Sequence, residues 1–175
     1  TPEGGNGSLR VAPPADTDFS ALPLLPLQES PYHLTKAAEQ TGDLGLLTDG
    51  WIAVDRDGPL DVPYAIEPDR DTNGVGLVYF ANYIAFMNAA ERRALSCNTA
   101  RPPAPADVAA RGLVHRRVAF YGNVEVDDVI HTQVSLFAQA GTDRVLGVRY
   151  AIRRERDNRL ICRSEAIKVL PGYTA

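Results

Sequence analysis

Asn73, Gly74, Val75, Gly76 and Leu77 stand directly before an aromatic-rich run, "VYFANYIAFMNAAERRAL". The two glycines leave the backbone bare, so a ligand can come close. The amides of Gly76, Leu77 and Val78 are expected to point out of a helix N-terminus, where partial positive charge stabilises an oxyanion or enolate oxygen. A Gly-x-Gly before a helix is equally what a turn or close packing requires, so the spacing alone leaves both readings open. The stretch is flanked by Asn73 on one side and Asn88 on the other. An amide neither attacks a carbonyl nor takes a proton from water, but it donates and accepts hydrogen bonds and does not repel an anion.

These residues need a helix and a sheet to position them. Between Tyr79 and Leu95 the apolar side chains fall at 79, 80, 83, 84, 86, 87, 90 and 94, one broad helical stripe. Glu91, Arg92 and Arg93 are expected at its outer, C-terminal end. Upstream, Ser30, Pro31 and Gly42 bracket a short helix at about 31–41. "GWIAVDRDG" and "LDVPYAIEPDRD" read as strands separated by the Asp57-Gly58-Pro59 turn. Downstream, a Pro/Ala loop at about 96–112 has room for a helical turn at 105–110. Four strand-like runs follow at 113–122, 128–140, 143–155 and 159–171, with hairpin turns at Ala140-Gly141-Thr142 and Asp157-Asn158. In the third run Leu146, Val148, Tyr150 and Ile152 alternate with Val145, Gly147, Arg149, Ala151 and Arg153, as in a sheet with one buried face. One long helix cannot cover both faces of such a sheet. An α+β fold with a curved antiparallel sheet wrapped around the helix is the economical solution.

The 175 residues, 45% of them apolar, suffice for one domain with its own core. No apolar run reaches the length of a membrane span and no targeting segment opens the sequence. Cys97 and Cys162 fit no metal spacing and read as two buried thiols in a reduced, cytoplasmic setting. The only methionine is Met87, so a chain opening at Thr1 reads as a processed form or a piece of something longer. Residues 1–31, rich in Gly, Pro and Asp, read as an arm or interdomain linker, 32–61 as a helix-and-strand extension, and 62–175 as the main domain. Residues 1–91 carry a net charge of −10 and residues 92–175 a net charge of +6. Without a recognition motif this basic half does not call for nucleic acid; phosphates or an acidic protein suit it as well, and so does a merely solvated face. His33, His115 and His131 share no spacing and read as structural, and no metal site or nucleophilic serine is argued.

The run Asp71-Thr72-Asn73-Gly74-Val75-Gly76-Leu77-Val78-Tyr79-Phe80-Ala81-Asn82-Tyr83, followed by a four-strand meander with an acidic Asp127-Asp128 corner, resembles the hot-dog fold. More narrowly it resembles the 4-hydroxybenzoyl-CoA and YbgC-type acyl-CoA thioesterases, over about 62–171. The resemblance implies a helix wrapped by the sheet and pairing with a second hot-dog half or as a homodimer. It places a thioester carbonyl on the amide of Gly76 or Leu77, with Gly74, Val75, Tyr79, Tyr83 and Asn88 along the substrate. Relatives carry an Asp six residues before the motif tyrosine, here Asn73, and many carry a Glu five residues after the second tyrosine, here Asn88. Both acids are amides in this chain.

The same run is similar to LnmK-type acyltransferase/decarboxylases of polyketide pathways. That likeness implies methylmalonyl-CoA as substrate and an acyl carrier protein, through its phosphopantetheine, as acceptor of a propionyl group. It implies no cofactor beyond the coenzyme A of the substrate. Decarboxylation needs no general base, since the electrons come from the departing carboxylate. An acyl-accepting tyrosine has no motif position here; Tyr32, Tyr64, Tyr79, Tyr83 and Tyr121 all stay open. Two alternatives stand beside this expectation: a thioesterase with a relocated base, and a non-catalytic half that binds carrier protein. The chain would be the C-terminal hot dog of a longer protein if residues 1–31 are the interdomain connection.

Overall fold

The computed structural model describes residues 30–142 and 144–172. The expected arm lies almost wholly outside them. The described chain runs α1 (Pro31–Thr41), β1 (Trp51–Ala53), β2 (Leu60–Ala65), α2 (Pro68–Asp71), α3 (Phe80–Cys97), α4 (Pro105–Ala110), β3 (Gly112–Phe120), β4 (Val129–Gln139), β5 (Val145–Arg154) and β6 (Leu160–Val169). Pro31 at the first turn and Gly42 in the left-handed region bound α1 as the sequence predicts. Pro105 opens α4 in the predicted loop.

The six strands form one antiparallel sheet, in the order β1-β4-β5-β6-β3. β1 and β2 do not pair with each other. β1 pairs with residues 137–139 of β4 and β2 with residues 129–134, so the two lie end to end along one edge. Trp51 and Leu47 lie over Gly147, where a Cβ would stand 2.7 Å from the indole ring. That glycine is bare to admit them. The second predicted upstream strand ends sooner than expected, because Pro68 starts the short helix α2.

The face of β5 carrying Leu146, Val148, Tyr150 and Ile152 is buried against α3, as its alternation predicts. From α3 come Tyr83, Phe86, Met87, Ala90, Ala94 and Leu95. A sheet curved around a single helix is the predicted architecture. Two expectations are corrected. Glu91 is fully buried instead of marking the outer end of the helix. Cys97 is exposed, while Cys162 is buried and its thiol is pushed up to about 12 by loss of solvent. Among the described residues no helix is long and apolar enough to cross a membrane.

Candidate active site at the start of the central helix

The segment between α2 and α3 is a closed loop. Thr72 and Val78 form an antiparallel bridge. Asn73 N–H donates to the Leu77 carbonyl at 2.8 Å, and Tyr79 N–H donates to the Asp71 carbonyl at 3.0 Å. Gly76 turns the chain with φ +76°, a value that favours glycine. Inside the loop the Asn73 side chain acts as an Asx turn: its Oδ1 accepts the amides of Val75 and Leu77, both at 3.1 Å.

This geometry corrects the expected donors. Gly76 N–H donates to the Asn73 carbonyl at 3.0 Å, Leu77 N–H to Asn73 Oδ1, and Val78 N–H to the Val124 carbonyl at 3.2 Å. None of the three points free from a helix end, because α3 begins only at Phe80, with Tyr79 as its N-cap. The amides of Phe80 and Ala81 occupy the first two helical positions, which have no intrahelical acceptor. Neither meets an acceptor among the described residues. They carry the positive end of an 18-residue helix.

The other predicted residues separate. Val75 and Tyr79 are exposed, beside an exposed Phe80. Among the described residues, no atom beyond the adjoining ones lies within 4 Å of a Cβ built at Gly74 or Gly76, so the space over the loop is open there. Tyr83 is a core residue, not part of that surface. It is 2% exposed, its hydroxyl donates to Asn123 Oδ1 at 2.5 Å, and the Val124 N–H donates both to the Tyr83 hydroxyl oxygen at 3.2 Å and to Asn123 Oδ1 at 2.8 Å. Burial holds its hydroxyl far above the ordinary tyrosine range. Asn88 lies on the next turns of α3, where its Oδ1 accepts Arg116 Nη2 at 3.1 Å and Lys168 Nζ at 3.2 Å. It therefore stands within a cationic cluster and apart from the loop.

The carboxylate of the loop is Asp71, and it is buried. Its Oδ2 accepts Tyr64 Oη–H at 2.6 Å and Glu67 N–H at 2.9 Å, and its Oδ1 accepts Arg70 Nε at 3.1 Å. Arg70 Nη2 also donates to the Tyr64 hydroxyl. A carboxylate so fully engaged fastens α2 and β2 to the loop. Sequence reasoning missed the pairing of Asp71 with Tyr64. The seven-residue spacing carries no periodic signal, since a helix start intervenes.

No protein-family model matches the chain, and a comparison with curated proteins finds no match. Solved structures do match. The 4-hydroxybenzoyl CoA thioesterase of Pseudomonas sp. strain CBS-3 superposes with a TM-score of 0.53 at 21% identity, over 64% of this chain and 84% of that one. A 1,4-dihydroxy-2-naphthoyl-CoA thioesterase from Synechocystis does so with a TM-score of 0.55 at 20% identity, over 67% and 87%. This chain has the hot-dog fold. The same fold holds a variant of 4-hydroxybenzoyl CoA thioesterase in which an Asp is replaced by Asn, complexed with 4-hydroxybenzoyl CoA, with a TM-score of 0.52 at 22% identity over 63% and 82%. In this hot dog the open amides, the bare glycines and Asn73 all meet at the N-terminal end of the central helix.

Proposed function

We propose that the chain is an acyl-CoA enzyme of the thioesterase type, with the thioester carbonyl bound to the amides of Phe80 and Ala81. The observation that carries this reading is that these two amides are open at the end of a long helix, beside a loop cleared by Gly74 and Gly76. Two donors aimed at a carbonyl oxygen stabilise the charge that develops when a nucleophile adds to its carbon. Asn73 shapes the loop with its oxygen, and its amide nitrogen remains a donor for the acyl group or an attacking water. The matching hot dogs of Pseudomonas and Synechocystis are thioesterases, and a variant of the former that carries Asn in place of an Asp is complexed with 4-hydroxybenzoyl CoA.

Asn73 is no general base, so water must be activated from outside the loop. In the arrangement the resemblance implies, a second hot dog pairs with this one and borders the same site. The test is release of free thiol from a panel of acyl-CoAs of varied chain length. Absence of thiol release across the panel, at enzyme concentrations equal to substrate, overturns the reading.

One observation favours a second reading. Asn occupies both positions, 73 and 88, at which the thioesterases it resembles carry acids. A site without either acid suits a substrate that brings its own carboxylate, such as methylmalonyl-CoA, and decarboxylation followed by transfer of propionyl to a carrier protein. Intact mass of the carrier protein after incubation distinguishes the two: a propionyl adduct supports transfer, and an unmodified carrier with free thiol released supports hydrolysis.

A further inference from the structure

A seam runs between α3 and the edge strand β3, and its two ends differ in chemistry. Near the helix N-terminus it is aromatic: the rings of Tyr83 and Phe120 meet edge to face, 5.6 Å between centroids, and Phe120 is 46% exposed. Further along α3 it becomes cationic. Asn88 Oδ1 is shared by Arg116 and Lys168, and the buried Glu91 accepts Arg111 Nε at 2.8 Å together with Lys168 Nζ and the Tyr150 hydroxyl. Two cationic side chains, Arg111 and Lys168, thus hold one carboxylate, and Arg116 stands beside them on Asn88. Burial lowers the affinity of Lys168 for its proton, yet even with that amine neutral two guanidiniums face a single negative charge. An excess of desolvated positive charge is unfavourable unless an anion joins it.

Two buried polar atoms point to where such an anion would sit. Arg116 Nε and Ser164 Oγ are buried and have no hydrogen-bond partner among the described residues. Arg116 pairs in register with Ala166, and Ser164 pairs with Val118, so the two are diagonal neighbours on the face turned toward α3. Ala166, opposite Arg116 and two residues from Ser164, is a small buried side chain on the same face. The Arg116 guanidinium lies over the Tyr150 ring, 5.7 Å from its centroid, which holds it against that face.

We infer that the far end of the α3–β3 seam is a subsite for a carboxylate at the distal end of the acyl group, received by Arg116, Ser164 and Lys168. This rests on the thioester reading above and names its substrate class. Asn88 follows Phe80 by eight residues, about 12 Å along the helix axis. A carboxylate held near Asn88 while its carbonyl sits on Phe80 N–H is separated from that carbonyl by most of this length. The class is therefore ω-carboxyacyl thioesters of extended chain, and malonyl groups, with one carbon between the two carboxyl carbons, fall outside it.

The test uses non-hydrolysable thioethers, S-(ω-carboxyalkyl)-CoA and S-alkyl-CoA of matched lengths, titrated into the whole chain by calorimetry. The expected result is that the carboxylate tightens binding at least about tenfold at long chain lengths and not at short ones, the value of a charge-assisted hydrogen bond. Arg116→Met is expected to remove that gain and leave alkyl-CoA affinity unchanged. Ser164→Ala, a smaller change at the same gap, is expected to reduce it severalfold. Equal binding of carboxylated and plain thioethers, or a gain independent of length or of Arg116, overturns the subsite and leaves the thioester reading standing. Binding of neither thioether overturns the thioester reading and the subsite with it.

Discussion

Asn73 Oδ1 accepts the amide of Leu77 at 3.1 Å, and that one hydrogen bond changes what the asparagine means. An aspartate accepts the same amides of Val75 and Leu77, so either residue builds this loop. Only the chemistry above the loop differs. Asn73→Asp is expected to fold with an unchanged melting temperature and to raise hydrolysis of uncharged acyl-CoAs by about 100-fold or more, the scale of an added general base. Asn73→Ala leaves two loop amides without their acceptor and is expected to cost about 1 kcal/mol per lost hydrogen bond. Thermal unfolding and thiol release measured on both variants check this. Unchanged hydrolysis in Asn73→Asp contradicts a site centred on this loop.

Gly76 and Gly74 separate conformation from space. Among the described residues neither has an atom from beyond its chain neighbours near a Cβ, but only Gly76 has a positive φ. Gly76→Val is expected to destabilise the chain by about 1–2 kcal/mol through backbone strain. Gly74→Ala is expected to leave stability unchanged, and denaturant unfolding of the two variants measures the difference.

Tyr83 illustrates a motif residue whose role is packing. Tyr83→Phe removes the hydroxyl between Asn123 Oδ1 and the Val124 amide, which keep each other as partners at 2.8 Å, so about 0.5–1.5 kcal/mol of stability should be lost. Its kcat on any acyl-CoA is expected to match the parent chain. A fall in kcat without a fall in stability returns Tyr83 to the substrate surface.

His131 couples β2 to β4 and to the turn after β5. Its Nδ1 lies 2.5 Å from Asp61 and its Nε2 lies 3.1 Å from Glu155, and these two hydrogen bonds, Asp61's first, hold its pKa above the usual 6.5. A raised folded-state pKa means the added stability is full below about 6.5 and fades as pH climbs through the folded value. The pair is partly exposed, so a few tenths of a kcal/mol are expected. Unfolding midpoints of the parent chain and of His131→Gln should differ near pH 5.5 and converge near pH 8.5, both values approximate.

Much of the architecture was legible because it rests on periodicity. The alternation in residues 143–155 and the three-four spacing from Tyr79 onward each declare one buried face, and a single helix against a sheet has few solutions. Local hydrogen bonding was not legible. The glycines announced a turn, but whether Gly76 and Leu77 offer their amides outward depends on Asn73, whose side chain takes one of them. Glu91 next to Arg92 and Arg93 read as a helix end, yet its burial is decided by Arg111, Lys168 and Tyr150, which reach it from distant strands and loops. Asp71 was hidden in the same way, since Tyr64 and Glu67 meet it only after Pro68 turns the chain.

On the proposed reading the first amide of α3 holds the thioester carbonyl, and a backbone substitution addresses it. Proline fits the first helical position, and Tyr79 before it already has the extended conformation that proline requires, φ −65° and ψ 132°. Phe80→Pro therefore removes the N–H without breaking the helix, and Phe80→Ala controls for the lost ring. The measurement is kcat/KM for thiol release from the best acyl-CoA of the panel in both variants. Binding of the carbonyl by this N–H predicts that Phe80→Pro falls about 100- to 1,000-fold below Phe80→Ala, the cost of one oxyanion donor. Equal rates in the two folded variants would contradict it.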